Sequence, residues 1–94
     1  MYVNYHKLET FLGVSSSLSL SFGQNIRALR KAQGLTQVEF SERCGFYQTY
    51  LSRVENGQAN PTLNAIEVMA NALGLTVYEM FYLMETAMEA SVSA

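Results

Sequence analysis

Ninety-four residues, 49% of them hydrophobic and 12% aromatic, make one globular domain with a single modest core and leave no room for a second. Cys44 and His6 are each the only residue of their type, which excludes an intramolecular disulfide and leaves no pair of strong ligands for zinc or another metal. The net charge of −2, taken as an average, speaks against a nucleic-acid surface.

The average hides a polarised chain. Residues 22–58 hold Arg27, Arg30, Lys31, Arg43 and Arg53 against Glu39, Glu42 and Glu55, whereas residues 59–94 hold Glu67, Glu79, Glu85 and Glu89 with no Lys or Arg. A mildly basic middle is thus followed by an acidic end. Residues 1–21 balance Lys7 against Glu9 and carry an apolar patch at Phe11, Leu12 and Val14. Glu9 and the serines at 15, 16, 17, 19 and 21 break that patch, so it matches neither a signal peptide nor a membrane span. Within this segment Tyr5 to Leu12 reads as a short helix and the serine-rich stretch as a linker or arm. The expected location is the cytoplasm, without membrane association.

From Phe22 the apolar residues Phe22, Ile26 and Leu29 fall at the three- and four-residue spacing of an amphipathic helix, which Gly34 ends. Leu35 is placed to pack back on its last turn. Thr36-Gln37-Val38-Glu39 is a capping box that opens a short second helix, closed by Gly45, with Phe40, Ser41 and Cys44 turned inward. Small Ser41 is expected to admit the next helix closely, and Cys44 reads as a core residue rather than a nucleophile, since nothing near it in sequence would form a thiolate.

The stretch from Gly45 to Gly57 organises the rest. Leu51 and Val54 face a core, while Gln48, Thr49, Ser52 and Arg53 fall on the other side. Gln and Arg carry forked ends that match adenine and guanine edges in the major groove, and Ser and Thr add shorter contacts. Two short helices joined by a tight glycine turn are the arrangement of a helix-turn-helix. Pro61 marks the following loop. Thr62 caps a fourth helix with Leu63, Ile66, Met69, Ala70 and Leu73 inward, and Gly74 closes it. A second capping box, Thr76-Val77-Tyr78-Glu79, opens a fifth helix with Met80, Phe81, Leu83, Met84 and Met88. No segment alternates with period two over a useful length, so the fold class is all-α.

These fragments resemble the Xre-type, or lambda-repressor-like, helix-turn-helix regulators. The resemblance spans roughly residues 22–82 and rests on Ile26-Arg27-Ala28-Leu29-Arg30, Gly34-Leu35-Thr36-Gln37, Tyr50-Leu51-Ser52-Arg53-Val54-Glu55-Asn56-Gly57, Asn60-Pro61-Thr62-Leu63 and Ala72-Leu73-Gly74-Leu75. It implies a five-helix domain on operator DNA, commonly dimeric, with the third helix in the major groove. By position it implies that Tyr47, Gln48, Thr49, Ser52 and Arg53 face base edges. Gln37 would bind a phosphate through its amide and exposed backbone donors and brace Gln48, and Asn56 and Asn60 would touch phosphates further along. Arg30 and Glu55 would form a structural ion pair. Gln58 and Ala59 stand where relatives often carry Lys or Arg, and Tyr47 is bulkier than the usual residue there.

The resulting layout is an arm or linker at 1–21, a DNA-binding domain at 22–84 and a tail at 85–94 that extends the last helix. The expected function is a sequence-specific transcriptional regulator, a repressor or controller protein, reading an inverted-repeat operator on double-stranded DNA through residues 47–56. An antitoxin-like protein, holding a protein partner through its acidic, methionine-rich end and silencing its own operon, is the alternative. Tyr78, Phe81, Tyr82 and Met88 offer more apolar surface than one small core absorbs, which implies a homodimer through the fifth helix. With His6 and Cys44 isolated and no phosphate loop or useful carboxylate pair, no enzymatic activity and no cofactor are expected.

Overall fold

The computed structural model describes the backbone of residues 18–93 and the side chains of 18–87. Among the described residues five α-helices follow one another, α1 (Leu18–Ala32), α2 (Gln37–Cys44), α3 (Gln48–Glu55), α4 (Leu63–Ala72) and α5 (Val77–Ser93), with no strand. The expected short helix at Tyr5–Leu12 lies outside the described residues.

Local chemistry sets the helix boundaries. In both capping boxes the threonine hydroxyl accepts from the backbone N–H three residues on, and that glutamate accepts from the threonine N–H: Thr36 with Glu39, and Thr76 with Glu79. Thr62 Oγ1 accepts from Ala65 N. At the other end of α2, Gly45 takes the left-handed conformation at φ 73°, which a side chain would resist. The Thr36–Glu39 exchange also holds the exposed Glu39 carboxyl below its ordinary value, chiefly through the backbone N–H of Thr36.

Phe40, Ile26, Leu51, Met69, Met80 and Val54 form the centre of the core, with Phe22, Leu35, Ala70 and Leu73 around them. Every helix contributes at least one of these residues, so all five pack on one core. Two side-chain amides tie the first helix and the turn after it to later elements: the buried Asn25 Nδ2 donates to the Met80 carbonyl at 3.3 Å, and Gln33 Nε2, just past α1, donates to the Leu73 carbonyl at 2.7 Å.

Three expectations change here. The first helix begins at Leu18, four residues before Phe22, because its added turn lies against Gly57: a Cβ on that glycine would come within 2.8 Å of Leu20 Cα. Packing thereby holds a serine-rich turn helical against its weak propensity. Leu63 is 84% exposed rather than inward, since the first residue after the Thr62 cap sits at the helix end, beyond reach of the core. Leu83 also faces outward, one position past the inward stripe that runs through Met80 and Met84.

Candidate nucleic-acid interface

The inner face of α3 is anchored and its outer face is open. Leu51 and Val54 are buried, and Tyr50 is half-buried with its ring edge-on to Phe46 at 5.2 Å. Opposite them, Tyr47 is 85% exposed, Gln48, Thr49 and Arg53 are exposed, and Ser52 is half-buried. Tyr47 occupies the cap position and makes no side-chain capping bond, so its ring stands out at the leading end of the helix. Arg53 Nη2 donates to the Gln58 carbonyl at 3.1 Å, which steadies the guanidinium over the last turn and leaves its other donors available. Asn56 caps the C-terminal end of α3, and both Asn56 and Asn60 are exposed.

Beneath this face lies a buried polar network. Arg30 meets Glu55 side-on, Nε to Oε2 at 2.7 Å and Nη2 to Oε1 at 2.9 Å, and Arg30 Nη1 donates to the Leu35 carbonyl at 2.7 Å. Gln37 Nε2 adds a third donor to Glu55, at 3.1 Å from Oε1. With both charged side chains almost fully buried, the bidentate geometry and the extra hydrogen bonds offset the cost of removing the charges from water. The network binds the end of α1, the start of α2 and the end of α3 into one unit. No buried side-chain donor or acceptor lacks a partner among the described residues.

This arrangement revises the expectation for Gln37. Its amide is directed at Glu55, not at Gln48, because an ionised carboxylate is a stronger acceptor than a neutral carboxamide. What α2 still presents outward is the backbone at its start. Of the expected dimer set, Phe81 is half-buried, with its ring 6.0 Å from that of Phe22. Tyr78 and Tyr82 remain outside at 86% and 64% exposure, and the side chain of Met88 lies outside the described residues. Cys44 is half-buried, and burial pushes its thiol up to about 11, as suits a packing residue rather than a nucleophile.

Sequence reading missed Gly23. A Cβ there would stand 2.1 Å from the Val54 carbonyl oxygen and 2.9 Å from that of Glu55, so α1 crosses the end of α3 at backbone contact. Ser41 is buried, with its hydroxyl donating to the Val38 carbonyl. A glycine inside a helical stripe was the available signal.

Two helices in a tight glycine-turned pair, the second offering a polar face above a fixed base, define a helix-turn-helix domain. A family model described as helix-turn-helix matches residues 26–80, and the chain belongs to that family, in its Xre-type, lambda-repressor-like branch. It is 45% identical over 58 residues to the HTH-type transcriptional regulator y4dJ of Sinorhizobium fredii, covering 62% of this chain and 75% of the relative. It is 40% identical over 58 residues to the immunity repressor protein of Bacillus phage phi105, covering 62% of this chain and 40% of the repressor's length. Among solved structures, the restriction-modification controller protein C.AhdI from Aeromonas hydrophila matches with a TM-score of 0.67 and 35% identity, over 69% of this chain and 98% of that one.

Proposed function

We propose that the protein is a sequence-specific regulator of transcription, a repressor or controller protein, that binds an inverted-repeat operator as a homodimer. The observation that carries this reading is the outward face of α3, where Gln48, Thr49 and Arg53 stand exposed on a helix whose other side is locked by Leu51, Val54 and Glu55. Side chains held on so rigid a base reach base edges without paying to order the helix first. In this reading Tyr47, Gln48, Thr49, Ser52 and Arg53 address base edges, and Asn56, Asn60 and the backbone at the start of α2 address phosphates. The similarity to an immunity repressor and to a controller protein supports the regulatory role.

One copy offers few cations. Gln58 and Ala59 add none just after α3, so counterion release is small and two copies are needed for tight binding. The outward apolar face of α5, with Tyr78, Tyr82 and Leu83 beside Leu75, is the surface we assign to the second copy. Footprinting on the DNA upstream of the protein's own gene tests the reading. Protection of an inverted repeat with half-sites about 10 to 10.5 base pairs apart is expected. Absence of any protected site there and in DNA selected from a random pool overturns it. A monomer that copurifies with a stoichiometric polypeptide would instead favour the antitoxin-like role.

A further inference from the structure

The first helix carries charge that the fold does not use. α1 holds Arg27, Arg30 and Lys31 and no acid. Arg30 is neutralised by the buried Glu55. Arg27 and Lys31 stay exposed, and among the described residues neither makes a side-chain hydrogen bond or ion pair. No acid stands three or four residues from either of them, where a helix would place a neutralising partner, and the two like charges one turn apart work against the helix that bears them. Arg43 differs, because Glu39 stands one turn before it and the two attract.

Position gives these two cations a use. Gly23, Arg27, Arg30 and Lys31 recur at three- and four-residue spacing, so they share one side of α1. Gly23 meets the Val54 and Glu55 carbonyls at backbone contact, and Arg30, one turn beyond Arg27, reaches the Glu55 carboxylate. Arg27 therefore stands between two contacts with the end of α3 and, being exposed, opens onto the surface beside that end. Lys31 continues the ridge to the turn into α2, where its carbonyl accepts from the Gly34 N–H at 2.9 Å. We propose that Arg27 and Lys31 form a phosphate-binding ridge that grips the DNA backbone alongside the groove addressed by α3. The inference rests on the reading of α3 as a DNA-binding helix, and it supplies from α1 the cations that Gln58 and Ala59 do not. Two long cationic side chains about 6 Å apart along a helix axis suit successive phosphodiesters, which lysine meets as a point charge and arginine through paired donors. Such contacts carry no base information. The ridge thus adds affinity on any duplex and leaves discrimination to α3.

The test titrates the full-length protein across a range of salt on two duplexes, one carrying the footprinted or selected site and one of random sequence. Arg27→Gln with Lys31→Gln should lessen the slope of log K against log salt by about 1.8 for each bound copy. Both duplexes should lose the same several-fold affinity, and the melting temperature should stay unchanged. Arg27→Lys with Lys31→Arg keeps both charges and should keep the slope. Arg43→Gln, whose charge lies beside Glu39, should leave the slope as it is. The ridge is overturned by an unchanged slope in the double glutamine variant, by a loss confined to the specific duplex, or by an equal change per charge from Arg43→Gln, which would make the effect one of net charge. Dissociation of a dimer in the double variant would also overturn it, since the acidic helix of the second copy would then be what the ridge meets. A parent protein that binds neither duplex would remove the DNA reading itself, and the ridge with it.

Discussion

Gln48 and Glu55 lie seven residues apart in one helix and illustrate two ways a polar side chain is used. Gln48 is exposed at the start of α3, where its amide can pair with adenine N6 and N7. Gln48→Ala is expected to lose about 1 to 3 kcal/mol of binding on the preferred site and little on random DNA, as titration of both probes at one salt concentration will show. An equal loss on both would remove it from the base-reading set. Glu55 is buried under three hydrogen bonds from Arg30 and Gln37. Glu55→Ala strands the Arg30 guanidinium, so a loss of about 3 kcal/mol in folding stability is expected, a fall of roughly 12 °C or more in melting temperature for a domain of this size. An unchanged melting temperature would contradict the buried network.

At the scale of elements, the close approach of α1 to the end of α3 is permitted by a missing side chain. With the Val54 carbonyl 2.1 Å from where a Cβ would stand, Gly23→Ala must push the two helices apart. The usual helix-stabilising effect of alanine, about 1 kcal/mol, is expected to be outweighed by overpacking of about 1 to 3 kcal/mol, visible as a lower urea midpoint; a raised midpoint would refute the backbone contact. The start of α2 depends on pH. Glu39 has a folded-state value below the ordinary 4.5 because it accepts from the Thr36 N–H, so its contribution is present above that value and is lost as pH falls through the lower folded one. Glu39→Gln should therefore be less stable than the parent near neutral pH and converge with it in strong acid. A gap that persists in acid would show that the capping carboxylate is not the cause.

The whole molecule separates its tasks by position. The described cations lie on α1 to α3, while α4 and α5 carry only acids, a polarity that suits the proposed placing of phosphates toward the first three helices. In the proposed dimer the outward side of α5 makes the protein contact. Tyr82→Lys with Leu83→Lys, both at exposed positions, should shift sedimentation from dimer to monomer at micromolar concentration and weaken operator binding without lowering the melting temperature of the monomer unit. A wild-type protein that sediments as a monomer under those conditions would rule out the dimer.

The capped helix starts and most of the inward stripe were legible in the sequence because each is decided within a few residues. Thr36 with Glu39 and Thr76 with Glu79 close on themselves, and Leu51 with Val54 shares a face by helical period alone. Pairings between distant residues were not legible in that way. The Arg30–Glu55 contact was expected only through family resemblance, and the turn of Gln37 toward Glu55, the contact of Gly23 with the Val54 carbonyl and the turn of helix before Phe22 came from the structure. Each depends on where two helices cross, and that is fixed by the summed packing of Ile26, Phe40, Leu51, Met69 and Met80 rather than by any stretch of chain. Local hydrogen bonding and period thus wrote the helices into the sequence, while close packing of the core decided which backbone surfaces touch and which side chains remain free to act.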